Sequence, residues 1–343
     1  MKTDKIITIY DIAERLKLAP STISRGLQDN PAVNPKTRKK ILDTAHEMGY
    51  RFNTFARNLR NQKTNTIGVI VPRLNSYFIS AILAGIEKEI NSGGYNMLIC
   101  QSLELEENEA KYAKAMLHNR VDGLIVNLAA NTSSLAHFDE YIRHRIPLLF
   151  VDRVVENDDF NKVVINNTKA GYDLTNHLIE QGCQRIAHLT GNLIRNVYHD
   201  RKAGYQKALS EHQIPYEEKL VFETSLTEEA VTKAAHQILK MKIRPDALFV
   251  SNDLSAVICM KIFKDAGLKI PGDIAVAGFN NDIISRISEP MLTTINYPGE
   301  EMGKIAARNL INHIEGERDL AMTNTIILKS QLVVRESSLK AKI

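Results

Sequence analysis

From Ile67 onward, short apolar runs recur between stretches of helical period: TIGVIVP, DGLIVN, IPLLFVD, RIAHLTG, DALFVSND and DIAVAGFN. Runs rich in valine and isoleucine that stay apolar on both sides suit strands buried between two helix layers, the environment of a parallel sheet. That requirement makes most of the chain α/β. The strand-helix rhythm runs once to about residue 163 and restarts at Arg185, so two similar lobes with a cleft between them are expected in place of one long sheet. Folds of this kind place ligands at the carboxyl ends of strands. At 343 residues the chain is long enough for two or three separate cores.

Residues 8 to 50 follow another pattern, three short helices without a strand. Thr8 and Asp11 form a capping-box pair ahead of the first helix, whose Ile12 and Leu16 face inward. A tight turn at Lys17 and Leu18 leads to Pro20, suited to the first position of a second helix with Ile23 and Leu27 inside. Asn34 and Pro35 start a third, where Ile41, Leu42, Ala45 and Met48 make an apolar stripe that stops at Gly49. On the second helix Ser21, Thr22, Ser24 and Arg25 are the short or planar polar side chains that a helix-turn-helix presents to base edges. Arg25 carries the fork for a bidentate bond to guanine. Lys36, Thr37 and Arg38 suit phosphates, which position a duplex without specifying its sequence. Taken alone, the short segment also fits a capped surface helix.

Charge follows the same division. Residues 1 to 65 hold 13 Lys and Arg against 6 Asp and Glu, a net of +7, while the remainder holds 31 against 34, a net of −3. A basic head on a mildly acidic body suits a polyanion partner for the head. Cys100, Cys183 and Cys259 are odd in number and far apart, and read as buried small hydrophobes in a reducing cytosol. No signal-peptide core follows the first lysines, and no run approaches the ~20 apolar residues that cross a bilayer, so a cytoplasmic chain without a membrane partner is expected. Glycine-rich phosphate loops and a Gly-x-Ser-x-Gly elbow are absent, and His137 and His144 lack a third ligand. The expectation is no enzyme, no catalytic residue, no cofactor and no metal site.

The stretch from Phe52 to Thr66, FNTFARNLRNQKTNT, is polar and basic and reads as a linker, loose when free and helical against a partner. TIYDIAERLKLAPSTISRGL followed by VNPKTRKKILDTAHEMGYRFN closely resembles the DNA-binding head of LacI/GalR-family repressors. The resemblance continues through ARNLR, DGLIVN, VDR, DRKAGY, SND and GDIAVAGFN, nearly the whole chain. It implies a small all-α helix-turn-helix head (1–51), a hinge helix or linker (52–65), and an α/β two-lobed, periplasmic-binding-protein-like (type I) sensor with parallel sheets. Its lobes are expected at 66–163 with 296–326 and at 164–295 with 327–343, joined by three crossings.

By that resemblance Thr8, Tyr10, Pro20, Ser21, Ser24 and Arg25 touch DNA, and Asn53, Ala56, Arg57, Leu59 and Arg60 belong to the hinge. Leu59 is the expected minor-groove wedge, an apolar side chain that unstacks a base step and bends the duplex; packing against its own lobe is the other role open to it. Phe52 stands where the family usually has proline, which loosens the hinge entry. In the sensor, Arg201 of DRKAGY matches the arginine that clamps ligand hydroxyls. Asp152, Arg153, Asn252, Asp253 and Asn280 end strands at the cleft, and Asn75, Tyr77 and Phe78 supply a stacking wall. Arg153 also fits a structural ion pair, and Tyr77 and Phe78 also fit a core. Asn280 replaces the aspartate common in sugar-binding relatives, which weakens any specific sugar assignment. The expected partners are double-stranded operator DNA, a carbohydrate-like effector and a second copy of the chain, with control by a protein partner left open. TIILKSQLVV leaves no heptad tail for a coiled-coil tetramer.

Overall fold

The computed structural model describes residues 7–50, 63–155, 160–317, 320 and 325–340. The chain divides into two compact units, Met1–Thr64 and Asn65–Ile343. In the first, α1 (Ile9–Leu16), α2 (Pro20–Leu27) and α3 (Pro35–Glu47) enclose Ile12, Ala13, Ile23, Val33, Ile41 and Ala45. The Thr8 amide and hydroxyl donate to the Asp11 carboxylate at 2.8 and 2.6 Å, and Lys17 turns the chain with φ of 52°. Asn34 Oδ1 accepts from the Lys36 amide at 2.9 Å and caps α3. One expectation fails here. Leu42 is exposed, and the buried face of α3 runs through Ile41, Thr44 and Ala45, because positions 41, 44, 45 and 48 share one side at 3.6 residues per turn while 42 lies a hundred degrees away.

In the second unit β1 (Thr66–Val71), β2 (Asn96–Gln101), β3 (Gly123–Val126), β4 (Leu148–Val151) and β5 (Asn161–Ile165) alternate with α4 (Tyr77–Ser92), α5 (Glu106–His118) and α6 (Asp139–Arg143). The chain then crosses into α7 (Asn167–Glu180), β6 (Ile186–Thr190), α8 (Asn196–Glu211), β7 (Val221–Glu223), α9 (Glu228–Leu239), β8 (Ala247–Val250), α10 (Asp253–Asp265), β9 (Ala275–Ala277) and α11 (Ile284–Ile287). It returns through β10 (Thr294–Asn296) to α12 (Gly299–Ile314) and β11 (Thr325–Leu328), and crosses once more to β12 (Gln331–Val333). The first sheet has the order β11-β5-β4-β3-β1-β2 and the second β7-β6-β8-β9, all parallel; β10 and β12 pair antiparallel.

Both faces of each sheet are covered, as parallel strands require. Along β1, Ile67, Val69 and Val71 join one apolar cluster and Ile70 joins another, the two-residue alternation of a strand buried on both sides. Two helix pairs pack at backbone distance through mutually facing glycines. Gly85 of α4 and Gly303 of α12 do so in the first lobe, Gly171 of α7 and Gly204 of α8 in the second. The cysteines are free thiols; Cys183 and Cys259 are buried, but Cys100 on the edge strand β2 is only half-buried.

Candidate DNA-reading surface and ligand cleft

In the head unit, Thr8, Tyr10, Pro20, Ser21, Arg25 and Lys36 are exposed, and Thr22, Ser24 and Thr37 are partly so. Tyr10 is 68% exposed. Ile23 and Gly26 turn α2 toward the core, which puts Ser21 and Arg25, one turn apart, together on the outside. Asn53, Ala56, Arg57, Leu59 and Arg60 lie outside the described residues.

Between the lobes of the second unit lies a cavity of about 480 Å³. Its walls are the connections that follow strands, because in a parallel sheet every strand delivers its carboxyl end to the same edge. Asn75, Tyr77 and Phe78 come from the connection after β1, Asp152 and Arg153 from the end of β4, Arg201 from α8, Asn252 from the end of β8 and Asn280 from the end of β9. Eight of the nine ligand residues expected from sequence therefore meet in one cavity.

Asp253 is the exception. Its fully buried carboxylate accepts from Thr294 Oγ1 at 2.6 Å and from the Asp282 amide at 2.7 Å, and it does not line the cavity. As the first residue of α10 it points into its own lobe, where it fixes the turn after β9. Burial raises its pKa well above the ordinary carboxylate range.

Arg201 is held in place by the lobe it belongs to. Its Nε donates to Asn167 Oδ1 at 2.9 Å, its Nη1 donates to the Ser251 carbonyl at 3.0 Å, and its guanidinium carbon stands 3.6 Å from the centre of the Phe279 ring. No carboxylate forms an ion pair with it among the described residues, and burial lowers its pKa. The remaining donors of this side chain are available to a cavity ligand. Arg153, by contrast, is an ion-pair member: Nη1 donates to Glu104 Oε2 at 2.6 Å and Nη2 to the Tyr198 hydroxyl at 3.1 Å. Asp152, with φ of 61°, accepts from the Tyr297 hydroxyl at 2.5 Å and from Asn127 Nδ2 at 3.1 Å, so both of its oxygens are occupied. Phe78 packs on Tyr297 with ring centres 4.4 Å apart and forms cavity floor, whereas Tyr77 is half exposed at the rim.

Sequence reasoning missed Arg73, Glu104, Tyr198 and Asp282, which also line the cavity. Tyr198 was within reach: it precedes Arg201 by three residues, one helical turn on the same face. Asp282 follows Asn280 by two, and only the turn geometry decides which side it takes.

An exposed polar helix on a basic three-helix head, together with a two-lobed body that holds a polar cavity at its strand ends, is the build of a DNA-binding transcription regulator. Residues 8–53 match the family described as bacterial regulatory proteins, lacI family, and residues 175–338 the periplasmic binding protein-like domain. Catabolite control protein A of Priestia megaterium is 31% identical over 312 residues, covering 91% of this chain and 93% of that protein. The HTH-type transcriptional repressor PurR of Vibrio atlanticus (strain LGP32) is 31% identical over 309 residues, 90% of this chain and 92% of that one. Among solved structures, the lac repressor dimer bound to operator and the anti-inducer ONPF superposes with a TM-score of 0.86 at 27% identity, over 98% of this chain and 100% of that one. The chain belongs to the LacI family of bacterial regulatory proteins. It is a DNA-binding transcription regulator and not an enzyme.

Proposed function

We propose that this regulator is a cytoplasmic repressor that binds a pseudo-palindromic operator as a homodimer, with a small carbohydrate-like effector in the inter-lobe cleft setting its grip. The cleft carries the reading. Its volume of about 480 Å³ falls within the ~300–1,000 Å³ of small-ligand sites, and it is lined by a buried arginine, Arg201, that forms no direct ion pair among the described residues. A head of three short helices covers one half-site, so two are needed for a full operator, and pairing doubles the phosphate contacts. The lac repressor neighbour, solved as a dimer on operator, supports the same assembly. Among the described residues no helix is long and apolar enough to cross a membrane.

In this reading Thr8, Tyr10, Pro20, Ser21, Ser24 and Arg25 meet the major groove, Lys36 and Thr37 hold phosphates, and Asn53, Ala56, Arg57, Leu59 and Arg60 form a hinge whose leucine enters the minor groove. Effector binding moves the lobes against each other and shifts the equilibrium of hinge-helix formation, a two-state element biased from both ends. The test is selection of duplexes from a random pool with the full-length protein, in the presence and absence of cell extract. An enriched inverted repeat is expected, and Leu59→Ala should lose affinity for it far more than for random DNA. Equal losses on both would refute the wedge, and no enrichment under any condition would refute the operator itself.

A further inference from the structure

The turn after β9 carries Asn280, Asn281 and Asp282, and its conformation sorts them. Asn280 and Asn281 have φ of 115° and 59°, and the Asp282 amide is pinned to Asp253. Asn281 is turned away from the cavity: its Oδ1 accepts from Arg335 Nη2 at 2.6 Å and its Nδ2 donates to Asn296 Oδ1 at 3.1 Å. Asn280 and Asp282 line the cavity. Asp282 is only 8% exposed, its carboxylate is bonded by the Asn280 side chain, and among the described residues no Lys, Arg or His forms an ion pair with it.

The other charges of the cavity are already balanced. Glu104 takes Arg153 at 2.6 Å and Arg73 at 3.4 Å, and Asp152 is bonded by Tyr297 and Asn127 with Arg201 close enough to feel its charge. Three arginines (73, 153, 201) face four carboxylates (Glu104, Asp152, Glu228, Asp282), so the lining carries one negative charge in excess. Behind Asp282 stands the buried Asp253, a second carboxyl group that burial biases toward its neutral form and no source of positive charge. Arg335, a partly buried cation of that region, spends its donors on the Ser285 hydroxyl, the Leu292 carbonyl and Asn281, and Arg286 on α11 forms no ion pair with Asp282. A buried carboxylate without a cation is unfavourable, and burial accordingly pushes the Asp282 pKa up to about 6.

Resting on the cleft as the effector site, we infer that the effector is a carbohydrate carrying a protonated amine, and that Asp282 receives the amine. A neutral hydroxyl satisfies hydrogen bonding but leaves the charge in place. An ammonium supplies both, and charge-assisted bonds are about twice as strong as neutral ones. Asn252, Asn280 and Arg201 remain for the hydroxyls. Asp282 thereby supplies the negative charge that Asn280, as an amide, does not carry.

The experiment separates the amine from the cleft. Small metabolites of a bacterial extract are divided on a cation exchanger into a retained and an unretained fraction, and each is titrated against full-length protein and Asp282→Asn, with melting temperature as the readout. Stabilisation is expected from the retained fraction, it should vanish after that fraction is N-acetylated, and Asp282→Asn should bind at least tenfold more weakly. The variant removes a buried charge with little change of shape, so its own melting temperature should not fall below that of the parent. Stabilisation by the unretained fraction, equal in both proteins, overturns the amine and leaves the cleft as effector site, as does activity that survives acetylation. Binding of the retained fraction unchanged in Asp282→Asn overturns the role of Asp282. No stabilisation by either fraction overturns the cleft together with this inference.

Discussion

Gly204→Ala tests whether α8, the helix that carries Arg201, is seated by backbone contact. A Cβ at residue 204 of α8 would meet the Thr168 carbonyl oxygen of α7 well inside van der Waals contact and stand 2.6 Å from the Tyr172 nitrogen. Gly171 on α7 faces the backbone of Arg201 in the same way, its Cβ position being 2.9 Å from that Cα. An ordinary contact is about 3.4 Å, so α7 and α8 must part by roughly 0.8 Å or more, and neither obstacle is a side chain that can swing aside. Alanine adds about 1 kcal/mol of helix propensity over glycine. Overpacking against rigid neighbours costs about 1–3 kcal/mol, and backbone against backbone belongs at the upper end, which leaves a net loss of about 2 kcal/mol. For a body of this size that corresponds to a fall in melting temperature of roughly 3 °C. Because Arg201 rides on α8 at the contact, the effector-induced shift should shrink as well. Calorimetry of the full-length protein measures the first and thermal shift with a stabilising extract the second. Gly272→Ala is the control, since its Cβ would meet nothing closer than 3.5 Å. A Gly204→Ala protein as stable as the control would show that the helices part without cost, and the seating argument would be wrong.

Other consequences follow from buried polar groups. Arg201→Lys replaces a fork that serves both Asn167 and Ser251 with a single ammonium; leaving one acceptor unserved costs about 1–3 kcal/mol, and the effector response should disappear while operator binding persists. A variant that keeps the full response would move the site elsewhere. His188 is fully buried, its Nδ1 donates to the Phe249 carbonyl at 3.1 Å, and burial lowers its pKa to about 3. Below the unfolded value of about 6.5 the unfolded chain binds the proton and the folded one does not, so stability is intact above that pH and declines from there toward pH 3. Relative to His188→Asn, which keeps a donor for Phe249 but does not titrate, the parent should lose about 2 kcal/mol between pH 7 and 5 in urea unfolding; parallel profiles would show that the imidazole is protonated in the fold.

What could be read from sequence depended on how completely each element is buried. The runs that became β1, β3, β4, β6, β8 and β9 are apolar on both faces, and that composition has few other uses. Strand β2 escaped because it is an edge, exposed at Asn96 and half-buried thereafter, so its residues show neither alternation nor a continuous run. β5 escaped because Lys162 interrupts it, although that lysine is buried in the fold. β7 and β10 span three residues each, too short for any period. In the cleft, Arg201 and Asn252 were legible because a motif and a strand end fix their places. The exchange of Asp253 for Asp282 was not: one carboxylate is aimed inward by the first turn of α10, the other toward the cavity by two left-handed residues, and such turn geometry leaves no periodic signal.

The lobes are tied on the cavity side by polar bonds drawn from one short segment. The Val154 amide donates to Asn196 Oδ1 at 2.9 Å, Asn196 Nδ2 donates to the Asp152 carbonyl at 3.2 Å, Arg153 reaches the Tyr198 hydroxyl, and Arg195 reaches the Thr132 carbonyl. Each is worth about 0.5–1.5 kcal/mol net. Moving a two-state equilibrium from 1:99 to 99:1 takes about 5.5 kcal/mol of differential affinity, the upper range of what four such bonds supply together. A second arrangement of the lobes that gives them up therefore lies within reach of one small ligand bridging the cavity. The segment that makes these ties, Arg195 to Tyr198, opens the helix that carries Arg201, so in the proposed mechanism lobe movement and effector contact fall on one rigid element rather than on two that must be coordinated.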